Sequence, residues 1–273
     1  MDIENKRNLY CSPRFQKFVR KLLKTVFNNY FKVKIIGKEN IPKQGSIIFS
    51  CNHVHAFDPF IIAAQTNRIN YSMSKKELFL PVMRNIIVRM GAYPVETKPN
   101  KEKYKEFTEN YGLLIPKRKH DWFLEEINHY LLEKDQLDNL STLSHKLFTE
   151  YVLNTEGGLI IFLPGTRFKS YNKIKNPKKG AVWNAFEMYK KYKTIVRIVP
   201  GAIIYSLDKK PFIAETYAMP HKTNVDIGFR KPITIDNYFD EYKAHPKETV
   251  SKLTNIINEE VNLQTNLIID NLS

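Results

Sequence analysis

Histidine and aspartate are two residue types that together remove a proton from a hydroxyl group. The imidazole accepts the proton, and the carboxylate fixes the imidazole tautomer and stabilises the cation that forms. His53 and Asp58 stand close together, directly after the apolar run of residues 46–51. That run predicts a buried strand, and open α/β sheets bind ligands beyond the carboxyl ends of their strands. We therefore predict that His53 and Asp58 form a pair at a ligand crevice.

A second histidine and aspartate, His221 and Asp226, have the same spacing as the first pair. This second pair leads into a predicted strand, in which side chains five positions apart face opposite ways. We predict that these two side chains do not meet.

The first pair also allows a metal-site hypothesis, because His53, His55 and Asp58 partly match the His-x-His-x-Asp-His pattern of binuclear metallohydrolases. The aspartate of this chain comes one residue later than in that pattern, and no histidine follows it. The remaining histidines show no ligand spacing; they are His120, His129, His145, His221 and His245. We predict no metal site and no other cofactor.

A second loop carries residue types suited to an anion. Gly157 and Gly158 introduce the apolar run 159–163, which ends in Pro164-Gly165-Thr166-Arg167. Gly165 lets backbone N–H groups approach a ligand, and the guanidinium of Arg167 matches the geometry of phosphate. Taken alone, this sequence is a common loop and indicates no particular function.

Composition narrows the class of protein. The chain has 273 residues, of which 42% are apolar, so it can bury the core of a folded domain. The two cysteines, Cys11 and Cys51, cannot build a disulfide framework or a four-thiolate zinc site, and a reducing, cytosolic setting is the default expectation. The net charge of +15 favours a polyanionic partner: nucleic acid, an anionic membrane or a phosphorylated substrate.

Residues 12–31 predict an amphipathic helix, capped by Ser12 and begun by Pro13. Its apolar residues recur every three or four positions; they are Phe15, Phe18, Val19, Leu22, Leu23, Val26, Phe27, Tyr30 and Phe31. Cations cover the rest of the surface; they are Arg14, Lys17, Arg20, Lys21 and Lys24. Such a helix either packs on the domain or lies in a bilayer interface, and periodicity alone favours packing.

No apolar run approaches the roughly 20 residues that span a bilayer, and the first six residues lack the apolar core of a signal peptide. We expect a protein that neither spans a membrane nor is exported.

Strands alternate with helices along the chain, which predicts a single α/β domain with a mixed, largely parallel sheet flanked by helices. The predicted strands are 32–36, 46–51, 71–74, 93–95, 159–163, 197–205, 212–217 and 224–229. The predicted helices after the first are 59–66, 76–90, 178–192 and 245–268. Residues 101–155 are acidic within a basic chain, and we predict that they form a helical insertion in a domain of residues 32–273.

Five ordered motifs resemble the glycerolipid acyltransferases, and among them the 1-acyl-glycerol-3-phosphate (lysophosphatidate) acyltransferases of bacterial type. The resemblance covers about residues 32–100 and 156–235 and leaves the insertion unmatched. The motifs are Asn52-His53 with Asp58-Pro59, Gly91–Val95, Phe162–Arg167, Lys178–Ala181 and Ile198–Ala202.

The resemblance implies a mechanism. His53 would act as general base on the free hydroxyl of a lysophospholipid, with Asp58 orienting it. The hydroxyl oxygen would attack an acyl thioester, of acyl carrier protein or coenzyme A, without an acyl-enzyme. The resemblance also implies an N-terminal helix that docks on the membrane. It therefore favours a position in the bilayer interface for residues 12–31 over packing on the domain alone.

The resemblance also implies a binding site. Gly165, Thr166 and Arg167 would bind the phosphate of the acceptor. Lysines would assist; these are Lys178, Lys179 and Lys98. Asn52, Gly91 and Pro200 would support the site, Pro200 by shaping the acyl-binding region.

Three residues depart from the family pattern. Pro164 stands where a glutamate is usual, Thr97 where an arginine is usual, and His55 where a serine is usual. Lys98, next to Thr97, offers a point charge without the bidentate geometry of arginine. The departures leave the identity of the acceptor more open than the type of reaction, because His53 and Asp58 are both present.

We predict a peripheral enzyme at the cytoplasmic face of the cell membrane that makes phosphatidate from lysophosphatidate. The near alternative is an enzyme of the same family that uses glycerol 3-phosphate, another lysophospholipid or a glycolipid. The remote alternative is a non-catalytic lipid-binding or nucleic-acid-binding module. Nucleic acid is not expected as a partner, because the cations lie on an aromatic and aliphatic helix with no recognisable nucleic-acid-binding fold.

Overall fold

The strands lie in one mixed sheet in a computed structural model that describes residues 13–75, 87, 90–95, 148–150, 152–213 and 219–272. Within these ranges the strands are β1 (Lys32–Ile36), β2 (Ser46–Cys51), β3 (Asn70–Lys75), β4 (Ala92–Val95), β5 (Gly158–Ile160), β6 (Val196–Leu207), β7 (Lys210–Pro211), β8 (Asn224–Phe229) and β9 (Ile233–Thr234).

The order across the sheet is β1-β8-β6-β2-β5-β3-β4, and β7 and β9 also pair with β6. The pairs β1–β8, β6–β2, β2–β5, β5–β3 and β3–β4 are parallel. Strand β6 is antiparallel to β7, β8 and β9. The predicted single α/β domain with a mixed, largely parallel sheet is confirmed.

Helices cover both faces of the sheet. They are α1 (Pro13–Tyr30), α2 (Asp58–Gln65), α3 (Gly180–Tyr192), α4 (Phe239–Ala244) and α5 (Pro246–Asp270), with short 3₁₀ turns at Lys38–Asn40 and Asp236–Tyr238. Side chains that alternate along β2 face opposite ways, so Ile47 and Phe49 join one core cluster and Ile48 joins another. The first cluster includes residues of α2 and the end of α1, and the second includes residues of α3, α4 and α5.

Most of the predicted elements are confirmed. The bounds of β1, β2 and β8 are those that the sequence predicts, and α2, α3, α5, β3, β4 and β6 differ from their predictions by one or two residues. Of the predicted strand 159–163, the strand β5 contains residues up to Ile160, although the N–H groups of Ile161 and Leu163 still donate to carbonyl oxygens of β2. The predicted strand 212–217 is wrong in its described part, where only Lys210–Pro211 pairs with β6 and 212–213 lies outside any strand. The predicted helix 76–90 falls almost wholly outside the described residues.

The C-terminal end of the predicted insertion 101–155 packs in the core of the domain. Residues 148–150 and 152–154 are helical, and Phe148, Val152 and Leu153 are buried in the same core cluster as α3 and α5. This segment is part of the domain core, because it covers the start of β5 with apolar side chains that an acidic insertion would leave in solvent. The rest of the predicted insertion lies outside the described residues.

The apolar face of α1 divides into two parts. Phe27, at its C-terminal end, is buried in the core, and Leu23 packs against the same cluster. Gln16 fixes the other end, because its side chain donates to the carbonyl oxygens of Asn70 and Met90 at 2.6 and 2.8 Å. A stripe of three side chains, Phe18, Leu22 and Val26, remains exposed at 67%, 52% and 49%. The helix therefore packs on the domain and still presents an apolar surface.

None of the described helices is both long enough and apolar enough to cross a bilayer.

Candidate active site

The loop after β2 is anchored to its neighbour β6 by Asn52. Strand β2 runs parallel to β6 and ends where Cys51 lies opposite Gly201. Strand β6 continues beyond that point, and the amide of Asn52 bonds both peptide groups of Ile203: it donates to the carbonyl oxygen at 2.9 Å and accepts from the N–H at 2.8 Å. Asn52 thereby extends the pairing of the two strands by a side chain and fixes where the loop of residues 53–57 begins.

His53 and Asp58 meet at this loop, as the sequence predicts. Asp58 lies in the first turn of α2 and is fully buried, and its Oδ2 lies 2.8 Å from Nδ1 of His53. An ionised carboxylate only accepts hydrogen bonds, so Nδ1 carries the proton. The other ring nitrogen of His53, Nε2, is therefore the atom with a lone pair for a substrate proton.

The carboxylate of Asp58 is held by backbone as well as side chains. Its Oδ2 also accepts hydrogen bonds from the N–H groups of Val54 and His55, at 2.8 and 2.9 Å. Its Oδ1 accepts a hydrogen bond of 2.6 Å from the hydroxyl of Tyr205 on β6. Four donors thus offset the cost of burying this carboxylate.

The second predicted loop lies against the first. The N–H of Leu163 donates to the carbonyl oxygen of Cys51 at 2.8 Å, and the N–H of Phe168 donates to that of His53 at 2.6 Å. The ring of Phe162, the residue before Leu163, stacks on the imidazole of His53. The chain from 162 to 168 therefore forms one wall of the crevice at His53.

Gly165 turns that wall tightly. Its φ of +76° is in the left-handed region, and a Cβ there would lie 2.9 Å from Cγ of Lys178. Lys178 is held in place by its own N–H, which donates to the carbonyl oxygen of Leu163 at 2.7 Å. Thr166 and Arg167 are exposed directly beside this turn. The structure thus brings Gly165, Thr166, Arg167 and Lys178 together near His53.

Other residues of the predicted site are placed differently. The ammonium of Lys179 donates to Ser251 on α5 at 2.6 Å. Pro200 is buried within β6, opposite Ser50 in the register. Gly91 directly precedes β4, which lies three strands from β2 in the sheet; its φ is +89°, and the absence of a side chain leaves room for Gln16 and Asn70. Lys98 lies outside the described residues.

The imidazole of His55 does not join that of His53. It is buried, and its Nδ1 accepts a hydrogen bond of 3.2 Å from the N–H of Phe57. Its ring lies against those of Phe57 and Tyr205. In the described part of the chain, no group of three or more histidine, cysteine, aspartate or glutamate side chains is arranged to hold a metal ion.

The second histidine and aspartate are separated, as predicted. The exposed His221 packs its ring against Tyr30, with ring centroids 5.3 Å apart. Asp226 lies within β8, opposite Lys34 of β1. Burial raises the pKa of the Asp226 carboxyl, and Lys34 lowers it in part.

Sequence reasoning assigned no role to Tyr205 or Phe162, which complete the site. Phe162 begins one of the five motifs, and Tyr205 ends the predicted strand 197–205. The sequence does not give the register of the sheet. The pairing of β6 with β2 places Tyr205 beyond the end of β2, next to Asp58.

This arrangement can remove a proton from a hydroxyl group. Nε2 of His53 accepts the proton, buried Asp58 stabilises the imidazolium, and an exposed cationic loop beside the ring can bind an anionic group of the same substrate.

Comparison with known proteins identifies the class of chemistry. A protein-family model described as Acyltransferase matches residues 32–204, which is more than half of the chain. The crystal structure of the 1-acyl-sn-glycerophosphate (LPA) acyltransferase PlsC from Thermotoga maritima is similar in fold, with a TM-score of 0.56 and 15% identity. That similarity covers 97% of this chain and 86% of the other. No curated protein sequence matches significantly. The matched region contains His53, Asp58 and Arg167, and the chain belongs to the acyltransferase family.

Proposed function

We propose that the protein transfers an acyl group from a thioester of acyl carrier protein or coenzyme A to the free hydroxyl of 1-acyl-sn-glycerol 3-phosphate, giving phosphatidate. The observation that carries the proposal is the contact of His53 with Asp58 beside the loop of Gly165 and Arg167. A lysophosphatidate has a hydroxyl and a phosphate on one small headgroup. It therefore needs a general base and a cationic loop side by side.

The proposed reaction proceeds by direct attack. Nε2 of His53 takes the hydroxyl proton as the acceptor oxygen forms a bond to the thioester carbonyl carbon. Asp58 stabilises the imidazolium while the tetrahedral intermediate exists. The intermediate collapses with cleavage of the carbon–sulfur bond, and the leaving sulfur takes the proton from His53. The products are an ester and a free thiol, and His53 is again neutral.

In the proposed complex, the acceptor phosphate lies against Gly165, Thr166, Arg167 and Lys178. Arginine binds phosphate through two parallel N–H donors, and lysine adds a point charge.

We also propose that α1 holds the enzyme at the cytoplasmic face of the membrane as a peripheral protein. The exposed stripe of Phe18, Leu22 and Val26 would enter the acyl boundary of the bilayer. Four exposed cations on the same helix would contact anionic headgroups, each contributing about 1 kcal/mol near such a surface; they are Arg14, Lys17, Lys21 and Lys24. Lysophosphatidate carries an acyl chain, so it is met at that surface.

The test is an assay of the purified full chain with acyl carrier protein and coenzyme A thioesters against a panel of acceptors. The panel contains lysophosphatidate, glycerol 3-phosphate, lysophosphatidylcholine and a lyso-glycolipid. We expect the highest kcat/KM with lysophosphatidate. A preference for glycerol 3-phosphate or a phosphate-free glycolipid would contradict the proposed acceptor. Absence of transfer to every acceptor from both donors would contradict the proposed reaction.

A further inference from the structure

Tyr205 reaches the candidate active site from a strand that runs past it. Pairing of β6 with β2 ends at Gly201, and β6 continues to Leu207. Val199, Ile203 and Tyr205 alternate onto the face of the sheet that carries α2, and they share one core cluster with Ile61 of that helix. Asp58 begins α2 on that face, so the extension of β6 brings the Tyr205 hydroxyl to its carboxylate.

The two oxygens of Asp58 have different partners. Oδ2 accepts from Nδ1 of His53 and from the N–H groups of Val54 and His55. Oδ1 accepts from the Tyr205 hydroxyl at 2.6 Å, a length typical of a charge-assisted O–H to carboxylate bond. The tyrosine therefore draws negative charge toward Oδ1, away from the oxygen that faces His53.

Tyr205 is itself fixed by a second tyrosine. The N–H of Tyr205 donates to the hydroxyl of Tyr171 at 2.9 Å, and that hydroxyl donates to the carbonyl oxygen of Phe212 at 2.9 Å. Tyr205 is fully buried, and burial beside Asp58 raises the pKa of its hydroxyl well above the usual value. It remains a protonated donor at every pH at which an enzyme of this kind is assayed.

We propose that Tyr205 is a positioning residue that lowers the proton affinity of the His53–Asp58 pair and keeps Nε2 of His53 ready to accept a proton near neutral pH. The inference rests on the proposed function, in which neutral His53 is the general base. Hydrogen bonds donated to a carboxylate favour its ionised form, and two or three of them shift its titration by about two pH units. Tyr205 supplies one such bond without touching the substrate.

Loss of the Tyr205 hydroxyl shifts proton uptake in the same direction whether His53 or Asp58 holds the proton. Without the tyrosine hydroxyl, more charge stays on Oδ2, which stabilises a proton on His53. Loss of the same bond makes the carboxylate itself easier to protonate. Both effects therefore raise the pH at which the pair takes up a proton.

Other titratable groups face this site. They are His55 on the loop, Cys51 on β2 and Tyr171 on the chain after β5. Burial raises the pKa of the Cys51 thiol and of the Tyr171 hydroxyl, so neither ionises in the acid range. His55 is the group to separate from the pair. Its replacement His55→Asn keeps an acceptor atom for the N–H of Phe57.

The experiment is the pH dependence of kcat/KM for Tyr205→Phe, which removes only the hydroxyl. We expect the midpoint of the acid limb to rise by about one pH unit, since one of several donors is lost. At a pH below the midpoint, kcat should fall by up to about tenfold, the loss that a shift of one pH unit gives, while KM for the acceptor stays within about twofold. The shift should persist when Tyr205→Phe is combined with His55→Asn. An acid limb that coincides with that of the wild type would overturn the inference.

A matched control is Tyr242→Phe. Its hydroxyl also bonds a carboxylate, that of Glu187, at 3.1 Å, but it lies between α4 and α3 on the other face of the sheet. A general loss of stability would affect both variants, whereas the acid limb should move in Tyr205→Phe alone. A matching shift in both variants would contradict a specific role for Tyr205.

If Tyr205→Phe does not fold, 3-fluorotyrosine incorporated at position 205 provides a second test of the role of the hydroxyl. Its phenol is a stronger donor, so the acid limb should move to lower pH, and an unmoved limb would overturn the inference. Failure of the proposed function is recognised separately. It would appear as full activity in His53→Ala, whereas failure of this inference leaves His53 essential and the acid limb unmoved.

Discussion

The phenyl ring of Phe162 lies nearly parallel to the imidazole of His53, with the ring centroids 3.9 Å apart and an angle of 10° between the planes. The two residues come from loops that follow neighbouring strands, β5 and β2. The stack covers one face of the imidazole. Together with the hydrogen bond to Asp58, the stack limits the orientation of the ring.

Replacing Phe162 with leucine should therefore reduce catalysis without destroying the site. An aromatic contact of this kind contributes about 0.5–1.5 kcal/mol beyond buried area, which corresponds to a two- to tenfold fall in kcat. Steady-state kinetics with saturating acceptor measure it. Unchanged kcat in a folded Phe162→Leu variant would show that the stack does not position His53.

Arg167 should affect the acceptor more than the donor. Loss of a hydrogen bond to a charged group costs about 1.5–3 kcal/mol, so Arg167→Gln should raise the acceptor KM about tenfold or more. The donor KM should stay within about twofold. Lys175→Gln, which removes an exposed cation from the same loop, serves as the control. A larger effect on the donor KM would reassign the loop to donor binding.

The exposed stripe on α1 should determine binding to vesicles. Phe18→Glu with Leu22→Glu replaces two apolar contacts of about 1.5–3 kcal/mol each, so affinity for anionic vesicles should fall at least about 100-fold. The control is Leu263→Glu with Leu267→Glu on α5, whose exposures of 47% and 46% and spacing are comparable. Co-sedimentation with vesicles measures both. Equal losses in the two variants, or none in the first, would contradict a specific role for α1.

Cys51 predicts a pH dependence of stability. Its thiol is fully buried, and burial raises its pKa, with a smaller contribution from Asp58. In the unfolded chain this thiol ionises at about pH 8.5. The free energy of unfolding is therefore fully retained below that pH and decreases as the pH rises above it.

In a Cys11→Ser background, the free energy of unfolding of the protein with Cys51 should therefore decline more steeply above pH 8.5 than that of Cys51→Ala. The difference in slope should approach about 1.4 kcal/mol per pH unit. Denaturant titrations between pH 7 and 10 measure it. Parallel pH profiles for the two proteins would show that Cys51 is not buried as described.

Local patterns in the sequence were sufficient to predict the central part of the sheet. Strand β2 is buried throughout and carries the apolar run Ile47–Phe49 because both of its faces are covered, and β8 is bounded by polar turns. The pairing of His53 with Asp58 was predictable because the two residues follow the same strand end and are only five positions apart.

Long-range contacts were not predictable in the same way. Tyr205 lies 147 residues from Asp58, and only the register of β6 against β2 shows that they meet. The sequence assigns the core segment around Phe148 to an acidic insertion, because the acidic residues before it dominate the composition and hide the three apolar side chains that face the core. For α1, periodicity indicated an apolar face but not its division into a buried and an exposed part.

The most direct measurement is the rate of thiol release from an acyl thioester, in the presence of lysophosphatidate, by His53→Ala compared with His221→Ala. General-base catalysis contributes about 10²- to 10⁴-fold. His53→Ala should lose at least 100-fold in kcat while its circular dichroism spectrum and vesicle binding remain normal. His221→Ala, from the pair with the same spacing that does not meet, should keep wild-type turnover. Near-normal turnover in His53→Ala would contradict the assignment of His53 as the general base.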